Sequence, residues 1–240
     1  MPGYYVHLAT INKKTQKNKN FIKGVEAPDL LKYYYKNYGL EEARKKYNAI
    51  KIDGMPSFSY FEDRIQQVEN SKSDSGLHYG LSSNPNIEAF YNSLDNNQKN
   101  NPFYKGYLWH LLTDKIMYAY LDIESKLKRF TYLYKNDENL EKLRIQEINK
   151  LHSDWDKTNS KIRYRYNDII LPKEIEELNI VKFIDDDNLS YVDFDIIKLL
   201  IDYMRLFNPL EDDIIKIIMD LLPDNNKNLK ETLKRKVLKR

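Results

Sequence analysis

The chain contains no cysteine. That excludes disulfides, thiolate zinc sites and cysteine nucleophiles, and leaves imidazole and carboxylate as the side chains open to a metal. Histidine is scarce, with His7, His78, His110 and His152 the whole set. Nowhere does an uncharged apolar run reach the roughly 18 residues that a membrane-spanning helix needs. The start, Met1 to His7, has no basic stretch followed by an apolar one, so a cytoplasmic location is expected. Charge of one sign is also lacking. The 39 basic and 36 acidic residues interleave, and a net charge of +3 demands neither nucleic acid nor an anionic membrane as partner. Strand-like alternation is rare and no internal repeat is visible, whereas helical spacing dominates. The expectation is an all-α protein, a single multi-helix bundle over residues 1–222 followed by a basic C-terminal helix or tail at 223–240.

Along the chain, the spacing predicts a short helix over 3–12 and a polar, basic, solvated loop from Asn12 to Asn20. Gly24 to Asp29 reads as a turn into a tyrosine-rich segment ending at Tyr38, and Gly39 as a stop before a helix over about 40–49. Glycine, proline and serine make 50–83 read as irregular, an active-site loop with His78 at its end. Asn84 and Pro85 open a helix with Ile87, Phe90, Tyr91 and Leu94 on one face, and Pro102 opens a long central helix. Helical spacing continues from Ile123 to about Leu140 and from Glu141 to Lys157. A short strand within 162–172 is followed by helices from Pro172, from Tyr191 to Phe207 and from Pro209 to Leu222. Tyr33 to Tyr35 with Tyr38 read as core-rim residues whose hydroxyls reach water. Asp185 to Asp187 read as a loop and helix-cap cluster.

Two of the four histidines have an aspartate four residues later on a predicted helix, His110 with Asp114 and His152 with Asp156. Positions i and i+4 lie one turn apart on the same face, so each pair can aim an imidazole nitrogen and a carboxylate oxygen at one point. A single such pair is weak evidence, because acidic residues are abundant and surface helices favour these pairs. The first pair is set in Phe103 to Leu121, apolar almost all round, which marks a helix buried on most sides. A carboxylate buried there needs a cation, either a metal or a basic side chain. His7, Asp29 in a Pro-Asp step, and His78 are the remaining candidate ligands. Together they exceed one open tetrahedral site and could serve two ions with one carboxylate bridging. That arrangement suits hydrolysis of a phosphoric ester by metal-bound hydroxide. Asp29 is the candidate catalytic residue, a ligand with a free oxygen to orient the attacking water.

The order and context of His7, Gly24-Val-Glu-Ala-Pro-Asp29-Leu, His78 and Gly106-Tyr-Leu-Trp-His110-Leu-Leu-Thr-Asp114 resemble the zinc-dependent phospholipase C family, in particular its intracellular bacterial members. The likeness covers about residues 1–122, and Gly-x3-His-x3-Asp is its most specific element. It implies an all-helical fold shared with fungal single-strand-specific nucleases and one to three zinc ions, with Mn2+ or Fe as alternatives. It further implies that Asp29, His78, His110 and Asp114 hold one ion, with His7 and Asp114 contributing to a neighbour and Asp114 bridging. Secreted members use an N-terminal tryptophan as a ligand, which this chain lacks. For the remaining ion only His152 with Asp156, or Asp154, is at hand. The implied substrate is a small-molecule or lipid phosphoester; a nucleic acid is compatible but nothing points to it, and the oligomeric state is open. Two other readings compete. An HD-type phosphohydrolase lacks its adjacent His-Asp dipeptide here, and a non-catalytic helical scaffold would keep a residual metal site.

Overall fold

The computed structural model describes residues 3–70, 75–81, 84–121, 138–214 and 216–217. Its architecture is all-helical apart from one two-stranded ladder. Helix α1 (Tyr4–Ala9) has six residues, too few to persist alone, and is held because every one of its side chains is buried. After a 3₁₀ turn (Thr15–Lys17), the Asn18 side chain caps α2 (Lys19–Ile50) by accepting from the Phe21 N–H at 3.0 Å. Gly39 breaks α2 with a φ of 76°, a conformation glycine reaches without steric cost, so the expected stop is there.

The turn expected from Gly24 to Asp29 is instead helix. Gly24 has no Cβ because the chain there meets another backbone: a Cβ would lie 1.9 Å from the Phe103 carbonyl oxygen, and one at Gly106 2.0 Å from that of Phe21. Two glycines thus let α2 and α7 (Pro102–Leu121) cross almost backbone to backbone, the most extensive helix contact of the fold.

The stretch expected to be irregular, 50–83, holds helices α3 (Ser59–Asn70) and α4 (Ser75–His78). Phe58, Phe61 and Ile65 are buried there at helical spacing, a signal hidden by the surrounding Gly, Pro and Ser. Phe61 meets the rings of Tyr47, Phe103 and Tyr107 at 5.5 to 6.3 Å, so packing stabilises α3 where propensity does not. Strands β1 (Gly80–Leu81) and β2 (Asn84–Pro85) pair antiparallel. Asn84 and Pro85 therefore precede rather than open the next helix, α5 (Ile87–Asn92), which Asn86 caps; α6 (Asn96–Asn100) follows, opened by an Asp95/Gln98 capping box.

Helix α8 (Glu138–Arg165) lies against α1 and extends beyond its expected end. No strand forms over 162–172: Ile162 completes the apolar stripe begun by Leu151 and Trp155, and a loop runs from 166 to 172. Helices α9 (Lys173–Leu178) and α10 (Phe194–Met204) complete the described fold, α10 packing on α7. Residues 209–213 form a turn, with Asn208 donating its N–H to Asp212 at 2.7 Å, and the helix expected from Pro209 begins at Ile214. Lys157 and Lys161 of α8 pair with Asp186 and Asp187, so that acidic run pins a loop. The helical expectation for Ile123 to residue 137, the end of the Pro209 segment and the basic stretch 223–240 lie outside the described residues. No described helix is long and apolar enough to cross a membrane.

Candidate metal centre

Gly106, His110 and Asp114 follow one another at four-residue intervals, so the face of α7 that touches α2 also carries the imidazole and the carboxylate. His110 donates from Nδ1 to the Val25 carbonyl of α2 at 2.8 Å, which fixes its tautomer and leaves the Nε2 lone pair facing inward. Pro28 sits three residues further along α2, inside the helix, where it supplies no N–H to the turn before it. One turn beyond Val25, Asp29 reaches the same point. His78 arrives from α4, whose Gly76 packs so closely on α3 that a Cβ would stand 1.7 Å from the Arg64 carbonyl oxygen. The Tyr107 hydroxyl donates to the Leu77 carbonyl beside it. His7 comes from α1 and stacks on His110 with ring centroids 4.0 Å apart. A relay holds its carbonyl in place: Trp109 Nε1 donates to Thr10 Oγ1 at 2.9 Å, and that hydroxyl donates to the His7 carbonyl at 2.7 Å.

The distances identify the arrangement. His110 Nε2 lies 3.3 Å from His78 Nε2 and 3.4 Å from Asp114 Oδ2, and His78 Nε2 lies 3.5 Å from both Asp114 Oδ2 and Asp29 Oδ1. The other Asp114 oxygen, Oδ1, is 3.3 Å from His7 Nε2. Charge-assisted N–H···O bonds run at about 2.7–2.9 Å. Four ligands of one zinc at about 2.0–2.1 Å stand about 3.3 Å apart in a tetrahedron. The group therefore has the spacing of co-ligands rather than of donors and acceptors. Consistently, both Asp114 oxygens, Asp29 Oδ1 and His7 Nε2 have no hydrogen-bond partner among the described residues. Orphaned buried polar atoms are costly, and a shared cation would satisfy them together. His7, His110 and Asp114 form one group able to hold a metal ion, and Asp29, His78 and His110 form a second, overlapping one.

The same groups set one another's charge. Burial pushes the Asp29 carboxyl up, but the facing imidazoles of His78 and His110 outweigh it and hold the group at about 2. Burial also opposes the Asp114 charge, and His110 and His7 overcome it, leaving Asp114 far below the usual carboxylate range. His110 is raised, its burial offset by Asp114, whereas burial and then His110 lower His7. Glu26, buried one turn before Asp29 with neither oxygen hydrogen-bonded, is pushed up by burial to about 8. At neutral pH it adds little negative charge to the cluster.

His152 and Asp156 belong to neither group. His152 is exposed and Asp156 half-buried on α8, and both line a cavity of about 420 Å³ whose wall also includes Asp29. Asp154 is committed to structure, accepting from the N–H groups of Ser190, Tyr191 and Val192 at 2.6 to 3.3 Å. Tyr33, read as core rim, lines the same cavity, while Tyr34 is buried and Tyr38 exposed. Sequence reasoning missed Lys32 and Lys36, which also line it and follow Asp29 by three and seven residues on one face of α2; that spacing was the available signal. It missed Tyr4, Trp155 and Asn159 as well, for which there was none. No family model, curated protein or solved structure matches the chain.

Proposed function

We propose that the chain is a metal-dependent phosphoric-ester hydrolase, with zinc as the first candidate ion and manganese or iron as alternatives. One observation carries the reading: Asp29, His78, His110 and Asp114 converge at 3.3 to 3.5 Å, with the second Asp114 oxygen turned to His7. The donor set fits such an ion, being all nitrogen and oxygen with the His110 tautomer fixed from outside. Asp29, His78, His110 and Asp114 would hold one ion, and His7 with Asp114 a neighbour. Bound there, the metal would supply Lewis acidity, offsetting charge on phosphoryl oxygens and making water easier to deprotonate.

The chain's own groups set where the reaction occurs. His7, His78, His110 and Asp114 are wholly buried, and Asp29, 8% exposed, is the one that also lines a cavity. Substrate therefore meets the cluster at Asp29, whose free oxygen can orient the attacking water. Water oxygen forms the new bond to phosphorus, the bond to the leaving oxygen breaks, and a water proton ends on the leaving alcohol. Lys32, Lys36 and Lys182 line the cavity and favour an anionic ester over a neutral one.

The test uses protein purified without chelator or affinity tag. Elemental analysis should find close to one or more equivalents of transition metal. A chromogenic phosphodiester with zinc or manganese should be turned over by the wild type and not by His110→Ala. Less than about a tenth of an equivalent, with none gained on addition, sinks the reading. The near-complete burial of the ligands favours one other reading, a helical scaffold with a structural ion. Metal retention with no turnover across a panel of phosphoesters would select it.

A further inference from the structure

A second cavity, of about 1040 Å³, shares no lining residue with the candidate metal centre. Its floor is aliphatic. Leu8 of α1 and Ile22 of α2 meet Ile50 and Ile52 from the far end of that helix, with Leu171 and Pro172 from the loop before α9. The break at Gly39 turns α2 back, so that both its ends reach one wall. Ile22, Ile50, Ile52 and Leu171 are half-buried against the core. Ile170 beside them is 81% exposed, the barest large hydrophobic side chain among the described residues. Five lysines line the same cavity, Lys13, Lys17, Lys19, Lys23 and Lys173. Lys23 pairs with Glu174 and Lys173 with Glu177, while the other lining carboxylate, Asp168, pairs with Arg205. Lys13, Lys17 and Lys19 are exposed and carry no ion pair among the described residues. Both carboxylates of the wall are thus neutralised, and three ammonium groups at its rim are not.

The composition of the wall narrows what it can hold. It has no aromatic side chain, so a nucleobase finds no face to stack on. Its one neutral polar side chain, Gln16, commits its amide nitrogen to the Ile11 carbonyl at 3.0 Å, so a hydroxyl-rich ligand finds little to bond with among the side chains. What is left is aliphatic surface below and positive charge above. An alkyl chain laid on the floor would leave water, and an anionic head among Lys13, Lys17 and Lys19 would meet charge that no carboxylate of the protein offsets. Lysine stems extend the apolar lining up to the rim. Small-molecule sites span roughly 300–1,000 Å³, and this concave site lies at the top of that range, with room for one long chain.

We infer that this cavity is a second binding site of the chain, and that its ligand is a monomeric aliphatic anion, a long alkyl chain ending in a carboxylate or similar head. The site does not depend on the hydrolase reading. Calorimetric titration of the full chain, below micelle-forming concentrations, tests it with three probes. Dodecanoate has both features, dodecyltrimethylammonium has the same chain with the opposite charge, and butyrate has the same head with little chain. Dodecanoate should bind at least about tenfold tighter than either. From octanoate to dodecanoate, affinity should rise about three- to fourfold for each CH2 buried. Replacing Lys13, Lys17 and Lys19 together by Gln, all at exposed positions, should weaken dodecanoate at least about tenfold and leave dodecyltrimethylammonium unaffected. Ile170→Gln, also exposed, should weaken dodecanoate several-fold and leave butyrate unaffected. Affinity indifferent to chain length or to the sign of the head, or a triple variant that binds dodecanoate as the wild type does, overturns the inference. Co-sedimentation with phosphatidylglycerol vesicles in the absence of dodecanoate binding overturns it too, and makes the lysines a membrane contact instead.

Discussion

Two helices carry the same four-residue step from histidine to aspartate, and the structure treats them in opposite ways. On α7, His110 and Asp114 are fully buried. The imidazole is raised and the carboxylate lowered, because the charge of each outweighs the burial of the other. On α8, His152 is exposed and Asp156 half-buried, and burial shifts each towards its neutral form, lowering His152 and raising Asp156. Spacing alone therefore makes a pair possible without making it a ligand set. What separates them is the company brought from elsewhere: α7 receives His7, Asp29 and His78, while the α8 pair meets a lysine-lined cavity.

The severest test of this contrast is at the helix crossing. Gly106→Ala places a methyl where the Phe21 carbonyl oxygen now lies, 2.0 Å from the new atom. Denaturant unfolding should show a loss of at least about 3 kcal/mol, with metal content falling in parallel. A stable, metal-replete variant would mean that the crossing does not set the site. Asp114→Asn and Asp156→Asn then compare the helices directly. Metal affinity in competition titrations should fall at least about a hundredfold for the first and stay unchanged for the second; equal losses would erase the distinction.

The smallest effect concerns acid. In metal-free protein the Asp29 carboxyl sits at about 2 against an ordinary 3.8. Its folded value is depressed, so its contribution, about 2 kcal/mol, is present above pH 4 and lost as pH falls towards 2. Asp29→Asn should flatten that part of the stability profile. For Asp156 the sign reverses. Its raised carboxyl makes stability fall as pH rises through the carboxylate range, and Asp156→Asn should remove that small slope.

Sequence made the all-helical class legible because Phe103 to Leu121 is apolar over too long a run for a strand, and apolar residues recur at helical intervals at Ile87, Phe90, Tyr91 and Leu94. It misread Gly24 and Pro28 as turn residues, since only the partner helix reveals that Gly24 is there to be thin. It misread 59–70 because aromatic packing from distant segments stabilises that helix. Within the site, local spacing brought together only His110 and Asp114. His7, Asp29 and His78 were candidates by residue type alone, and family resemblance assigned them to particular ions, because their approach is a property of the tertiary fold. His152 and Asp156 entered through the same spacing rule, which carries no information about burial.

The acceptor that orients His110 is a peptide oxygen, and this has a consequence for how the site can drift. No replacement at position 25 that keeps α2 helical can delete that oxygen, so the Val25 side chain answers to core packing and not to the imidazole's tautomer. Sensitivity passes instead to Pro28, three residues along the same helix. An ordinary residue there would restore an amide donor to that turn and change how its carbonyls point. The orientation of a buried ligand on one helix would then be inherited through the backbone of another.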